Sequence, residues 1–209
     1  MSKNTISGQH NGFDFVEIAG IKWATCNVGA EKPTDTGLYF QWGDRKGYTA
    51  DEVGKVKRFN WKDYKHHNDK RITKYTEFDG KLVLDLCDDA AFAYMGHGWR
   101  MPTLEDFRCL VNNTTQRWTN NYHRSGVAGM VFTDRTDKTK QLFFPAIGYC
   151  IDGDIYSVGW SGYYWSCSLC SGSELYGGCY LDFNGSGTTW LNGSYYRDYG
   201  SPVRGILTV

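Results

Sequence analysis

The stretch LCDDAAFAYMGHGWRMPTLEDFRCLV, residues 86–111, decides the predicted fold class because it holds two helix signals in succession. In its first half, Asp88 and Asp89 stand where negative charge favours the first turn of a helix. Gly96 and Gly98 then supply the residue type that commonly ends one. The first half therefore predicts a helix that starts at the two acids and stops at the glycines.

The second half predicts a further helix with a well-marked beginning. Thr103 is a favoured N-cap residue, and Asp106 stands three positions later, which is the spacing of a capping box. Phe107, Leu110 and Val111 then fall on one helical face. We expect these two helices to be the only long ones in the chain.

The segments on both sides of the helices have the alternation and the turn residues of short strands. Residues 13–24 predict two strands around an Ala-Gly turn, and an aromatic strand follows at 37–45. After Gly126, strand-like segments separated by glycine occur at 127–134, 140–149, 163–169, 178–184 and 201–209. Strands, two helices and then more strands predict an α+β fold class.

Two parts of the chain are predicted to lie outside this framework. Residues 1–12 are polar, and we expect a flexible N-terminal segment before a single domain over residues 13–209. Residues 46–74 are rich in Lys, His and Asp and predict a long surface excursion. Within it, His66 and His67 are expected to be solvated and not to bind a metal.

Composition places the chain among soluble globular proteins and argues against several partners. Of its 209 residues, 41% are hydrophobic and 22% charged, and the formal net charge is zero. From Gln141 onward there are two arginines, five acids and no lysine, a balance of −3. Neither nucleic acid nor an anionic membrane is therefore expected as a partner. No apolar run resembles a signal peptide or is long enough to span a bilayer.

Seven cysteines are an odd number, so disulfide pairing cannot include all of them. Cys87 and Cys109 stand among apolar residues in the helical stretch and are expected to be buried. Cys167 and Cys170 have CxxC spacing, but a single such pair without a second pair or a nearby histidine is weak evidence for zinc. We expect neither a metal nor another cofactor.

The C-terminal stretch YYWSCSLCSGSELYGGCYLDFNGSGTTWLNGSYYRDYGSPVRGI, residues 163–206, has an unusual composition. It combines Tyr, Trp, Ser, Gly and Asn at high density and contains no lysine. Tyr and Trp offer large contact areas with few rotatable bonds, and Ser, Gly and Asn add adaptable hydrogen bonds, as in antibody paratopes. The composition favours a surface that binds a ligand.

Four segments, taken in order, resemble a known family. They are WATCNVGAEKPTDTGLYFQWGD (23–44), DDAAFAYMGHGWRMPTLEDF (88–107), LFFPAIGYCIDGDIYSVGWSGYYWSCS (142–168) and YGSPVRGI (199–206). Together they resemble the bacterial C-type-lectin-like domain, in particular the "major paralogous domain" common in gut Bacteroidetes and their phages. The resemblance implies two helices packed on short antiparallel sheets in a loop-rich fold. One departure is Ser201, where the family commonly has Phe.

Within that family the chain is most similar to the variable proteins of diversity-generating retroelements. In those systems a reverse transcriptase mutates adenines while it copies a template repeat into the 3′ end of the gene, so Asn codons become codons for Tyr, Ser, Asp, Gly, Cys or Leu. The resemblance implies a variable region over about 149–200. Positions that look fixed are Gly162, Tyr164, Trp165, Ser166, Leu181, Phe183, Arg197, Gly200, Val203 and Arg204.

The residues between the fixed-looking ones are the predicted ligand-binding residues, which we call the display set. They are Tyr156, Trp160, Tyr163, Cys170, Ser173, Leu175, Tyr176, Asp182, Asn184, Trp190, Leu191, Asn192, Ser194, Tyr195, Tyr196, Asp198 and Tyr199. Tyr164, Trp165 and Phe183 are instead expected in the core. Arg100 and Arg204 are expected to be structural, partly buried cations.

The resemblance implies a ligand-binding display protein that recognises a protein or glycan receptor, in phage receptor binding or bacterial surface recognition. Location in a phage virion, export without a signal peptide, and a homo-oligomer all stay open. Calcium is not expected at Asp152, Asp154, Glu174 and Asp182, since the sugar-binding motifs of C-type lectins are missing.

Two alternatives stay open. One is an oxidoreductase similar to formylglycine-generating enzymes, which would need reactive cysteines among 167, 170 and 179. The other is a structural subunit of a tail-fibre or adhesin tip. No histidine follows His123, so the C-terminal part has no imidazole to act as a base or a ligand. We therefore expect no enzymatic activity.

Overall fold

A computed structural model describes residues 6–68, 70–76, 78–170, 177–191 and 193–209. Its helices are α1 (Ala50–Val56), α2 (Ala90–Met95) and α3 (Leu104–Asn113). Its strands are β1 (Gly8–His10), β2 (Phe13–Ile18), β3 (Ile21–Ala24), β4 (Tyr39–Phe40), β5 (His67–Asn68), β6 (Arg71–Ile72), β7 (Trp99–Arg100), β8 (Thr114–Thr119), β9 (Gly129–Asp134), β10 (Gln141–Pro145), β11 (Tyr149–Ile151), β12 (Asp154–Tyr156), β13 (Ser161–Leu169), β14 (Gly177–Asn184), β15 (Thr189–Trp190), β16 (Ser194–Tyr196), β17 (Ser201–Pro202) and β18 (Ile206–Leu207). Short helices on small antiparallel sheets confirm the α+β class.

Both predicted helices form, and the start of each follows the predicted signals. The expectation that they are the only long helices is wrong, because α2 has 6 residues and the unpredicted α1 has 7. Asp89 is the N-cap of α2, where its carboxylate accepts a hydrogen bond from the amide of Phe92 at 2.9 Å. Thr103 caps α3 in a capping box with Asp106. Asp88 is an exception, because it lies in a 3₁₀ turn before α2 and is buried. Its carboxylate belongs to an ion network and not to the first turn of the helix.

The two ends of the described chain meet in one five-stranded sheet. Its strand order is β1-β2-β3-β18-β7, so the last strand lies between β3 and β7. The predicted hairpin over residues 13–24 is confirmed as β2 and β3. The prediction of a flexible segment over 1–12 is wrong for Gly8–His10, which pairs with Phe13–Phe15 as β1. Residues 1–5 lie outside the described residues.

The remaining strands form smaller antiparallel sheets. One has the order β10-β9-β8, and another joins β13, β14 and β15, with β16 also paired to β14. Three two-stranded sheets pair β11 with β12, β17 with β4, and β5 with β6. Strand β8 was not predicted, because Thr114–Thr119 follows α3 without a Gly or Pro boundary and is largely polar.

Two buried clusters of large aromatic residues lie on opposite sides of the β13–β14 hairpin. Trp42, Trp99 and Trp165 belong to the first cluster. Phe107 of α3 and Phe183 of β14 belong to the second, which also includes side chains of the five-stranded and three-stranded sheets. Since aromatic side chains bury the largest apolar areas, the hairpin is fixed from both sides.

The predicted surface excursion over 46–74 is partly wrong. It contains α1, and Tyr48, Val53, Phe59 and Tyr64 in it are buried. Alternating polar residues concealed these core positions from sequence reasoning. His66 is also buried, at 6% exposure, so the prediction that it is solvated is wrong.

His66 belongs to a network around the buried Asp88 carboxylate, which explains its position. Asp88 accepts hydrogen bonds from Lys65, from Lys74 at 2.5 Å and from the Tyr75 hydroxyl at 2.6 Å. His66 Nε2 lies 3.5 Å from the same carboxylate. Two ammonium groups and a hydroxyl stabilise its negative charge, and the pKa of Asp88 is lowered although burial opposes the shift. The network ties residues 46–74 to the start of α2.

In the described residues, no helix is long and apolar enough to cross a membrane.

Candidate ligand-binding surface

Where Tyr163 and Tyr164 of β13 lie beside Leu181, Asp182 and Phe183 of β14, alternation divides the side chains between core and surface. The antiparallel register places Tyr163 opposite Asp182 and Tyr164 opposite Leu181. Tyr164, Leu181 and Phe183 point to one face and are fully buried in the second aromatic cluster. Tyr163 and Asp182 lie on the other face and are only half-buried. The prediction that Tyr164, Trp165 and Phe183 are core residues is confirmed.

Among the described residues, the partly exposed face carries a group of six tyrosines, the tyrosine cluster, from four strands and a loop. Its members are Tyr149, Tyr163, Tyr180, Tyr195, Tyr196 and Tyr199. Tyr195 lies at its centre, with ring centroids 5.2 Å from Tyr149, 5.4 Å from Tyr163 and 4.9 Å from Tyr199. Such edge-to-face and offset contacts hold each ring in place. The cluster is therefore a fixed surface.

Large aromatic side chains of the display set are exposed to solvent. Trp160 is 71% exposed and Tyr196 52%, while Tyr156 and Trp190 are each 45% exposed. Tyr156 also stacks on Tyr149 with centroids 5.7 Å apart. Exposed aromatic residues at this density are typical of interaction sites, because scattered single hydrophobes are the norm elsewhere on a surface.

Smaller members of the display set shape this surface. Asn184 accepts hydrogen bonds from the amide and hydroxyl of Ser186 and so fixes the turn after β14. Leu191 packs against the second aromatic cluster. A Cβ on Gly177 would lie 1.5 Å from Ser194 Oγ, so only glycine permits this close approach of β16 to β14.

Asp182 brings a carboxyl group to the partly exposed face. Burial raises its pKa to about 6. Its Oδ1 is buried and has no hydrogen-bond partner among the described residues. The pKa values of Tyr163 and Tyr180 are also raised, first by burial and then by the nearby Asp182 carboxylate. A half-buried carboxyl group beside phenol rings gives this face negative potential when it is ionised.

Asp198 is a correction to the display set, because it is 3% exposed and not on the surface. Its backbone carbonyl accepts a hydrogen bond from Gln41 at 3.0 Å, which turns the residue inward. Burial, with smaller contributions from Asp152 and Asp63, raises the pKa of its carboxyl group to about 7. Sequence composition could not distinguish this aspartate from an exposed one.

Replacing Asp198 with asparagine is expected to stabilise the protein at pH 8 and to change little at pH 4. The folded chain keeps the proton on Asp198 up to about pH 7, whereas the unfolded chain loses it near pH ~4. Stability from this group is therefore full below about pH 4 and is lost as the pH rises through 7. Asp198→Asn should raise the free energy of unfolding at pH 8 by roughly 1–4 kcal/mol.

Urea unfolding at both pH values measures this effect. The exposed Asp154, changed to asparagine, is the control and should leave the free energy within about 0.5 kcal/mol at each pH. Equal effects of Asp198→Asn at pH 4 and pH 8 would refute the assignment of a buried, titrating carboxyl group.

Cys170 forms a disulfide with Cys179, which sequence reasoning did not predict. The bond joins the end of β13 to the start of β14 and closes the segment between them. Cys170 Sγ also lies 3.3 Å from the carbonyl oxygen of Gly193.

Cys87 is exposed and Cys109 half-buried, so the expectation that both are buried is wrong. Ser173, Leu175, Tyr176 and Asn192 lie outside the described residues.

Sequence reasoning missed Tyr149 and Tyr180, which belong to the tyrosine cluster. Tyr180 stands two residues before Asp182 on the same strand, so period-2 alternation could have identified it. Tyr149 comes from β11, and its contact with Tyr195 joins residues 46 positions apart. No local pattern indicates such a contact.

The two arginines predicted to be structural have that role. Arg204 is fully buried, donates hydrogen bonds to Asn27 Oδ1 and to three backbone carbonyls, and lies over the Phe144 ring with its guanidinium carbon 4.3 Å from the centroid. Arg100 forms a salt bridge of 2.9 Å with Asp106 at the start of α3. Both guanidinium groups hold elements together, so neither is available for a ligand.

In the described part of the chain, Asp85, Cys87 and Asp88 are the group whose potential metal-ligand atoms come within 4.8 Å of one another. Lys74 Nζ lies 2.7 Å from Asp85 and 2.5 Å from Asp88, so an ammonium group already occupies the space between these carboxylates. The arrangement fits an ion network better than a metal site.

Comparison with known proteins finds no match among family models, curated proteins or solved structures.

Proposed function

We propose that the protein is a ligand-binding display protein whose C-terminal surface recognises a receptor on another cell. One observation carries the proposal: every position that looks fixed in the sequence is buried, whereas the display set is exposed or half-exposed. The single described exception is Asp198. A protein that changes its binding residues without losing its fold needs this separation.

The buried positions make a rigid support for the exposed ones. Tyr164 donates a hydrogen bond to Pro145 O at 2.8 Å, and Trp165 Nε1 donates to Phe40 O at 2.8 Å. Ser166 Oγ donates to Cys179 O at 2.7 Å across the hairpin. These bonds fix both strands of the hairpin from the core side, and a binding surface is more specific when its support is rigid.

The chemistry of the exposed residues suits recognition and does not suit catalysis. Phenol and indole groups bind through contact area and hydrogen bonds. Cys167 is buried, and burial raises the pKa of its thiol, which disfavours the reactive thiolate. Cys170 and Cys179 are joined in a disulfide. We therefore favour binding over the oxidoreductase alternative.

We further propose that the fold is C-type-lectin-like and that the variable residues come from a diversity-generating retroelement. The two predicted helices on short antiparallel sheets support the first part. The second part is supported by the burial of three small or apolar positions that look fixed, Gly162, Gly200 and Val203. Serine at 201 is buried and pairs with Phe40 in the β17–β4 ladder, so the departure at this position leaves the strand in place.

Binding of the fluorescently labelled chain to a panel of intact bacterial cells tests the proposal. We expect the chain to label a subset of strains, and a variant with Tyr156, Trp160, Trp190 and Tyr196 changed to serine to bind them at least about tenfold less. The control changes Phe78, Leu82 and Leu86 to serine, which removes exposed apolar side chains elsewhere.

The thermal midpoints of both variants show whether they fold. Binding that survives in the fourfold variant but is lost in the control would contradict the proposal and move the binding surface away from the C-terminal part.

A further inference from the structure

A cavity of about 330 Å³ opens on the tyrosine cluster. Four phenol rings line it, those of Tyr149, Tyr195, Tyr196 and Tyr199, together with Ile151 and Ser194. These residues come from β11, from β16 and from the loop after β16. The cavity therefore has aromatic walls on several sides, a shape that suits one compact group better than a flat surface would.

The rings hold each other in place before any ligand arrives. Tyr195 and Tyr199 meet edge to face with centroids 4.9 Å apart, and Tyr149 and Tyr195 do so at 5.2 Å. Tyr196 lies 5.5 Å from Tyr199 at a steep angle. Rings that are already ordered lose little conformational entropy on binding. The faces of such rings carry negative potential and attract cations.

An exposed carboxylate beside the cavity adds to this attraction, whereas the buried Asp198 keeps its proton up to about pH 7 and adds little below that pH. Burial raises the pKa of the Tyr199 hydroxyl, and the nearby carboxyl groups of Asp198 and Asp152 raise it further. Asp152 is exposed in the turn that directly follows Ile151, a residue that lines the cavity.

The cations of this part of the chain do not compensate for the acids at the cavity. There is no lysine after Lys140, and the arginines are Arg197 and Arg204. The Arg197 guanidinium lies over the Trp42 ring at 5.0 Å and donates to the carbonyl oxygen of Tyr75. Arg204 is fully buried and bonded to Asn27. Both cations are used in the interior, so neither places a positive charge in the cavity.

We propose that this cavity binds the cationic side chain of a lysine or arginine presented by a receptor protein. The inference rests on the proposed function. It narrows the class of receptor from a protein or glycan to a protein with an exposed basic residue. An acidic group would meet Asp152 and phenol faces, both of which repel it. A neutral sugar could stack on the rings but would gain nothing from the acids, so it is the competing outcome of the test.

Titration with capped amino acids, followed by NMR of the chain with labelled tyrosine rings, tests the inference. The probes are Nα-acetyl-lysine methylamide, its arginine counterpart, and Nα-acetyl-norleucine methylamide, which has the lysine shape without the ammonium group. Methyl α-mannoside is the sugar probe. We expect lysine and arginine to shift the ring signals of the cavity and to bind about 2- to 30-fold more tightly than norleucine.

Two variants of one cavity residue assign the effect to the ring. Tyr196→Leu removes the aromatic face and should weaken lysine binding severalfold, whereas Tyr196→Phe keeps the face and should retain it. Phe78→Leu, at a residue 91% exposed and outside the cavity, is the control and should leave binding unchanged.

Equal binding of lysine and norleucine, or ring shifts with the mannoside and none with lysine, would overturn the inference. If lysine does not bind while the fourfold serine variant still loses its labelling of cells, the inference fails and the proposed function stands. If the labelling of cells does not depend on the exposed aromatic residues, the proposed function itself fails.

Discussion

Replacing Arg204 with methionine is expected to lower the free energy of unfolding by roughly 3–5 kcal/mol. The guanidinium is fully buried and donates to Asn27 Oδ1 and to the carbonyl oxygens of Ala24, Thr25 and Phe143. Methionine fills similar space but leaves these acceptors buried without donors, and each such loss is costly. Because Arg204 joins the N-terminal strands to β10, its loss should loosen the support of the whole surface.

Chemical denaturation of Arg204→Met measures this effect, with Arg45→Met as the control. Arg45 is exposed, and its replacement should change the free energy by no more than about 0.5 kcal/mol. If Arg204→Met is as stable as the wild type, the hydrogen bonds of Arg204 do not hold the N-terminal strands and β10 together.

Alanine substitutions at Tyr164 and at Tyr163 are expected to lower the free energy of unfolding by very different amounts, although the two residues are adjacent and of identical type. Tyr164 is fully buried and bonded to Pro145, so Tyr164→Ala should cost about 3–5 kcal/mol. Tyr163 contacts other tyrosine rings on a half-exposed face, so Tyr163→Ala should cost about 1 kcal/mol. The pair measures directly how far the alternation of β13 separates core from surface.

Thermal and urea unfolding of the two alanine variants give the comparison. A difference below about 1 kcal/mol would mean that Tyr163 is also part of the core. It would then be a poor position for variation, and the division into supporting and exposed residues would not hold on this strand.

Local chemistry made much of the fold predictable. Thr103 with Asp106, and Asp89 before an apolar run, are bonds between near neighbours, so the helix starts could be predicted from spacing alone. The same holds for the β2–β3 hairpin. The family resemblance separated Tyr164 and Phe183 from the display set, and the structure gives the physical reason, because a strand turns successive side chains to opposite faces.

Features that depend on distant partners could not be predicted. His66 is buried because Asp88, 22 residues later, lies beside it with Tyr75. Tyr149 joins the tyrosine cluster through Tyr195, and nothing in the residues around it indicates that contact. Asp198 has the composition of an exposed turn residue but is turned inward by Gln41. In each case the deciding contact joins residues that are far apart in sequence.

Sequencing the gene from independent isolates, together with the DNA beside it, tests the central claim most directly. We expect the copies to differ mainly at display positions such as 156, 160, 163, 182, 190 and 196. Codons for buried residues such as Tyr164, Trp165, Leu181 and Arg204 should stay the same. We also expect a reverse transcriptase gene and a near-copy of the 3′ end nearby, differing from the gene only where the near-copy has adenine. Differences spread equally over buried and exposed positions, with no such near-copy, would contradict the account.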